Sequence, residues 1–144
     1  MNPSQASDLL NAAGPVAKLC RAMNARDVDA IAAQLAPDAV WTIVGRPDRF
    51  AFGGPQKKPQ FIEGLRASLQ AFDSFSFEVL SWARNDETVF VEARVEARGP
   101  GPARYSNHYL MRFIVRDELI TEVLEHYDPF EALAFVEQLS PARA

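Results

Sequence analysis

Three carboxylates and one arginine stand where extended chain would let them share a wall. Glu92, Arg94 and Glu96 alternate along one run, and Glu125 follows in a later one, two residues before Tyr127. A carboxylate works as a general acid or base near neutral pH only when burial or a nearby like charge lifts its pKa toward the working pH. Glu125, turned inward between Val123 and Tyr127, would be desolvated; Glu92 or Glu96 would oppose its ionisation and Arg94 would favour it. Two carboxylates brought close titrate as a coupled pair, one of them held protonated as a donor. Asn107, Tyr109 and Tyr127 add hydrogen-bond donors for a carbonyl oxygen that gains charge when a neighbouring C–H is deprotonated. Trp41, Ile43, Phe61, Phe90, Met111 and Phe113 would then be the apolar walls that a ring-shaped ligand fills. The expected candidates are therefore Glu125, Arg94 and Glu96 for catalysis, with the others and Glu92 holding the substrate. The chemistry is proton transfer, as in isomerisation, cyclisation or condensation, and needs no metal and no organic cofactor. Against this stands the ordinary reading, in which charge rows are solvated and aromatics pack a core.

Other chemistries lack their residues. The net charge is −4 and the fifteen basic residues are scattered, which argues against nucleic acid as a partner. His108 and His126 have no cysteine or carboxylate at metal-ligand spacing, so no metal is expected, and no glycine-rich phosphate loop or nucleophile elbow is present. The single cysteine, Cys20, sits among apolar helical positions and reads as a packed thiol. No stretch of eighteen apolar residues is available to span a membrane. The first ten residues have neither a basic n-region nor an apolar core, so the cytoplasm is the expected location.

With 144 residues, 48% of them hydrophobic, one domain over residues 1–144 is expected. Leu9, Ala13, Val16, Cys20 and Met23 recur at helical spacing from Ser7 to Met23, with Gly14-Pro15 as a kink or a late start. Asp27 caps a second helix through Val28, Ile31 and Leu35, and Pro37 stops it. Ala39 to Val44 reads as a strand, Gly45 to Lys58 as a loop and candidate lid, and Pro59 to Asp73 as a helix facing the core through Phe61, Leu65, Leu69 and Phe72. The period then changes from 3.6 to 2. Runs at Phe75 to Arg84, Thr88 to Arg98, Tyr105 to Arg116 and Leu119 to Tyr127 are joined by short links and read as an antiparallel meander. A last helix, Phe130 to Leu139, would close one end of the core through Phe130, Leu133 and Val136. Asp128 reads as its cap, and the whole is an α+β pattern with helices covering one sheet face.

In the run Thr88 to Arg98, Val89, Val91, Ala93 and Val95 form one face and Phe90, Glu92, Arg94 and Glu96 the other. Periodicity alone buries the valines. The next two strands argue otherwise, because each has a face mixing polar and aromatic groups (Asn107, Tyr109, Met111, Phe113; Val123, Glu125, Tyr127) that suits a pocket wall. If the mixed faces look inward, the valine face needs a cover, and the expected cover is a second copy of the chain. His108 and His126 then fall on the outer face.

The chain resembles the SnoaL-like branch of the NTF2-like superfamily over nearly its full length. The resemblance is carried by Leu35-Ala36-Pro37-Asp38-Ala39-Val40-Trp41 after the helix pair, by the third helix after a Gly-rich loop, and by the ending Leu119 to Asp128. Phe90-Val91-Glu92, Asn107-His108-Tyr109 and Glu125 are similar to phenazine-biosynthesis A/B proteins. The resemblance implies an NTF2-like (cystatin-like) cone, with N-terminal helices packed on a strongly curved, mostly antiparallel sheet. It also implies a homodimer through the outer sheet face and a small organic molecule in the internal pocket. It places an acid/base carboxylate at Glu125 and implies a SnoaL-like enzyme acting on a cyclic or carbonyl-containing substrate. A non-catalytic ligand-binding or accessory domain is one alternative. An epoxide-hydrolase-like enzyme is another, with Arg94-Val95-Glu96 standing at that group's Arg-Val-Asp run and Trp41 and Ile43 where it has a water-holding tyrosine and asparagine.

Overall fold

The computed structural model describes residue 8 and residues 14–139. Ser7, Leu9 and Ala13 of the expected first helix lie outside the described residues. Helix α1 runs Pro15–Ala25. It starts with proline at its first turn, where no N–H is missed, and it buries Val16, Leu19, Cys20 and Met23 on one face. Arg26 ends it in the left-handed region at φ 56°, and its guanidinium donates to Phe72 O at 2.7 Å, tying the helix end to the chain beyond α3. Helix α2, Val28–Ala33, is capped by Asp27, whose Oδ1 accepts from the Ala30 N–H at 3.1 Å.

Strand β1 (Leu35–Ile43) begins earlier than the expected Ala39, and its register shifts between Leu35 and Val40. Pro37 lies inside that irregularity, where a residue without an N–H is tolerated. Part of the expected loop is a short strand, β2 (Gly54–Lys57), antiparallel to β1. Helix α3 (Lys58–Gln70) follows, then β3 (Ser74–Asn85), β4 (Thr88–Arg98), β5 (Arg104–Arg116), β6 (Leu119–His126) and helix α4 (Pro129–Leu139). The six strands form one sheet in the order β2-β1-β6-β5-β4-β3. The meander β3 to β6 is antiparallel throughout, and β1 joins it by pairing parallel to β6.

The architecture is α+β, a curved sheet with helices against one face. The helix-facing side takes Phe77 and Val79 of β3, Val91, Ala93 and Val95 of β4, Met111 and Phe113 of β5, and Ile120 and Val123 of β6, all buried. Burying each large side chain of this kind contributes roughly 1.5–3 kcal/mol. Helix α4 is turned differently from the expected phase: Phe130 is 78% exposed, whereas Ala132 and Phe135 meet the core. No helix among the described residues is long and apolar enough to cross a membrane.

Candidate functional site

Strand β6 turns Glu125 inward two residues after the fully buried Val123, and the carboxylate is 8% exposed. The parallel partner β1 sets Ile43 opposite Glu125 and Trp41 opposite Val123. Trp41 thereby reaches across the diagonal, and its Nε1–H donates to Glu125 Oε2 at 2.6 Å. Burial lifts the Glu125 carboxyl from 4.5 to about 7, and the Trp41 hydrogen bond works against that rise by favouring the anion. At neutral pH such a group is divided between acid and base forms, which is what proton transfer in both directions requires.

A second polar group lies on β5. The hydroxyls of Tyr105 and Tyr109 are 2.5 Å apart, and Asn107 Nδ2 donates to the Tyr105 hydroxyl at 2.9 Å. Asn107 is saturated by its own neighbours. Its Oδ1 accepts from the His108 N–H at 2.8 Å and the Asp128 N–H at 3.0 Å, and Nδ2 also donates to Asp128 O at 3.0 Å. Two backbone donors on one end of the amide identify that end as oxygen. Asn107 therefore braces the β6–α4 connection behind the tyrosines. Burial pushes the Tyr105 hydroxyl up to about 12 and raises those of Tyr109 and Tyr127, with the negative charge of Glu125 acting in the same direction on all three. All three stay protonated donors across the neutral range.

Between sheet and helices lies a cavity of about 400 Å³, within the 300–1,000 Å³ typical of small-molecule sites. Glu125, Tyr105, Tyr109 and Tyr127 are on its wall, with Trp41, Ile43 and Met111 from the sheet and Phe61, Leu65 and Leu69 from α3. Phe72, Phe75 and Phe135 complete an aromatic end, where Phe72 stacks on Tyr105 with ring centroids 6.4 Å apart. Phe61 stacks on Trp41 at 3.9 Å and 12°, which fixes the indole that holds Glu125. The loop after β1, the candidate lid, forms part of the cavity wall. Phe50 is buried edge-on against Tyr127, its N–H donates to Arg46 O at 2.8 Å, and Phe52 meets the cavity. A Cβ on Gly53 would sit 2.6 Å from Gly45 O, so the loop neck closes only with glycine there.

Of the sequence-predicted residues, the structure brings Trp41, Ile43, Phe61, Tyr109, Met111, Glu125 and Tyr127 to the cavity. Phe113 is fully buried behind them, edge-on to Trp41 at 6.5 Å, as core. Four positions on β4 are corrected. Phe90, Glu92, Arg94 and Glu96 lie on the outer face, and the valines face the helices instead. The reason is register: β4 pairs with β5 so that Val91 is opposite Met111, Ala93 opposite Tyr109 and Val95 opposite Asn107, and directly opposed residues share a face. Glu92 is engaged outside by Ser81 and His108, each at 2.7 Å, which hold its carboxyl below the usual range. Arg94 meets Glu96 at 3.9 Å, both about half exposed. The run Arg94-Val95-Glu96 thus presents only Val95 to the cavity, and neither the bridging arginine nor the base of the epoxide-hydrolase reading is supplied by it. The valine face needs no second copy to cover it. Tyr105, Phe72, Phe75 and Phe135 were not among the expected site residues, although Tyr105 follows from Asn107 and Tyr109 by simple alternation. Cys20 is fully buried with its thiol pushed up to about 12, an inert side chain. His108 and His126 are exposed on the outer face, as expected, and no group of three or more His, Cys, Asp or Glu that could hold a metal ion occurs among the described residues.

Comparison with known proteins agrees with this architecture. Residues 16–123 match the family model described as a SnoaL-like domain. No curated protein sequence matches the chain. Among solved structures, PrhC from Penicillium brasilianum is similar with a TM-score of 0.77 at 15% identity, covering 94% of this chain and 89% of its own. A protein with a ketosteroid isomerase-like fold from Catenulispora acidiphila, in complex with trimethylamine, has a TM-score of 0.70 at 16% identity over 88% of this chain and 97% of its own. An LEH-like epoxide hydrolase from M. tuberculosis has a TM-score of 0.68 at 18% identity over 93% of each chain. Identities this low establish the shared fold.

Proposed function

The chain belongs to the SnoaL-like domain family, and on that premise we propose that it is a small-molecule enzyme using Glu125 as acid/base on a cyclic or carbonyl-containing substrate. The observation that carries this reading is the buried Glu125 carboxyl, lifted to about 7 on the wall of an aromatic cavity. Trp41 orients the carboxylate and keeps its anion accessible, while Tyr109 and Tyr127 offer hydroxyl protons to a carbonyl oxygen as charge develops on it. Glu125 removes a proton next to that carbonyl and returns it at another carbon, which describes isomerisation and the proton steps of cyclisation or condensation. Side chains suffice for this chemistry.

The test needs no knowledge of the natural substrate. Cyclic ketones such as 2-tetralone are incubated with the protein in D₂O, and exchange of the protons next to the carbonyl is followed by NMR. Exchange above the buffer rate, lost in Glu125→Gln, supports the reading; exchange that survives in Glu125→Gln, or none above buffer across a panel of ring ketones, refutes it.

The same proposal includes a homodimer through the outer sheet face, which carries Phe90 and its neighbours in place of the expected valines. The outer face carries a patch of Phe90 (48% exposed) and Leu110 (56% exposed) in a groove shared with Trp82 and Leu124. Beside it Arg112 has a buried Nε–H with no acceptor among the described residues. An apolar groove with an unanswered donor favours a partner surface that supplies apolar area and an acceptor together.

A further inference from the structure

The cavity wall is charged in one place only. Of the residues around it, Glu125 is the sole ionisable group other than the three tyrosines, and no Lys, Arg or His from any helix or strand among the described residues reaches it. Two basic groups at helix ends on the helical side of the cavity are turned to other tasks: the Arg26 guanidinium donates to Phe72 O and the Lys58 ammonium to Leu35 O at 2.9 Å. Much of the remaining wall is aromatic, with Trp41, Phe61, Phe72, Phe135, Tyr105 and Tyr127 turned to the cavity or packed along it. The faces of such rings attract cations and repel anions through their quadrupoles.

These facts together sort ligands by charge. A carboxylate or phosphate entering the cavity would be stripped of water and meet no cation, beside a carboxylate that is itself an anion above neutral pH. A ketone loses little and gains the tyrosine hydroxyls. An ammonium gains the carboxylate and the ring faces. We infer that the cavity takes ring-bearing ligands that are neutral or carry an amine, and rejects those that carry an acid. This inference rests on the cavity being the ligand site of the proposed function, and it narrows the substrate class without depending on turnover.

Three probes with one ring system test it: 2-acetonaphthone, 2-naphthylmethylammonium and 2-naphthoate, titrated by calorimetry at pH 6 and pH 8. The expected order at pH 8 is ammonium, then ketone, then naphthoate, with naphthoate at least tenfold weaker than the ketone. Among the described residues, Glu125 is the only cavity group that titrates in this interval, since Tyr105, Tyr109 and Tyr127 all ionise far above it. Raising the pH from 6 to 8 should accordingly strengthen the ammonium and weaken naphthoate, in opposite directions. Glu125→Gln should flatten both pH dependences and narrow the gap between ketone and naphthoate. Naphthoate binding as tightly as the ketone at pH 8, pH dependences of the same sign, or failure of all three probes to bind overturns the inference. Ordered binding without any ketone exchange would refute the enzyme reading and leave the charge selection standing.

Discussion

Replacing Glu125 by Gln should make the protein more stable, by an amount that grows as the pH rises from 4.5 to about 7. The carboxyl has a pKa near 4.5 in the unfolded chain and about 7 in the folded one. Below pH 4.5 both states hold the proton, and the side chain contributes no pH-dependent difference. Between these values the folded state keeps a proton that the unfolded state has released, so stability falls as pH rises, by about 1.4 kcal/mol per unit at most. Above pH 7 the loss is complete, at about 3 kcal/mol for a shift of this size. Gln has the same shape and can still accept from Trp41, but it has no charge to desolvate. The variant should therefore match the wild type near pH 4 and exceed it by about 3 kcal/mol at pH 8, order of magnitude. Urea unfolding of both proteins at pH 4, 6 and 8, at one protein concentration, reads this out. With a urea m value of about 1–3 kcal/mol/M the midpoint difference at pH 8 is about 1–3 M. Other carboxylates titrate equally in the two proteins and cancel. A stability difference that does not change from pH 4 to pH 8, or one that favours the wild type at pH 8, would show that Glu125 is not a buried acid with a raised pKa.

Three further outcomes follow from the same geometry. Trp41→Phe removes the 2.6 Å donor to the carboxylate; a hydrogen bond to a charged group is worth about 1.5–3 kcal/mol, so the Glu125 pKa should rise by a further 1–2 units or so, seen in the carboxyl infrared band titrated against pH. Asn107→Leu strands the His108 and Asp128 N–H groups and Asp128 O and should destabilise by about 2–5 kcal/mol, measured by urea unfolding. Leu110→Asp puts a charge in the outer groove and should shift the proposed homodimer to monomer in light scattering, with the ketone exchange rate per chain changed less than threefold.

Much of the architecture was readable from alternation and turn chemistry. The limits of β4 agree with the expected Thr88 to Arg98, and β5, β6 and α4 agree within one residue. The inward faces of β5 and β6 were also right, because Tyr109 and Glu125 stand among aromatics and aliphatics that a solvated face does not carry. The face of β4 was misjudged because alternation shows two faces without saying which face of a neighbouring strand each one joins. Pairing Ala93 with Tyr109 settles that, and such a register is a property of two strands and their turn. Strand β2 was hidden for another reason: Gly54-Pro55-Gln56-Lys57 has no strand propensity and is extended only because β1 offers it a pairing edge. The Trp41–Glu125 contact depends on the parallel pairing of β1 with β6, which nothing local to either strand announces.

That parallel pairing has a kinetic consequence. The indole and the carboxylate it holds are separated by 84 positions in the chain, and closing so long a loop costs entropy before any contact compensates. The meander can zip from its own short turns, whereas the donor arrives only when the first strand docks beside the last. In refolding, indole fluorescence at position 41 should therefore reach its native value after strand circular dichroism does, and the acid would acquire its unusual affinity for protons in the final step.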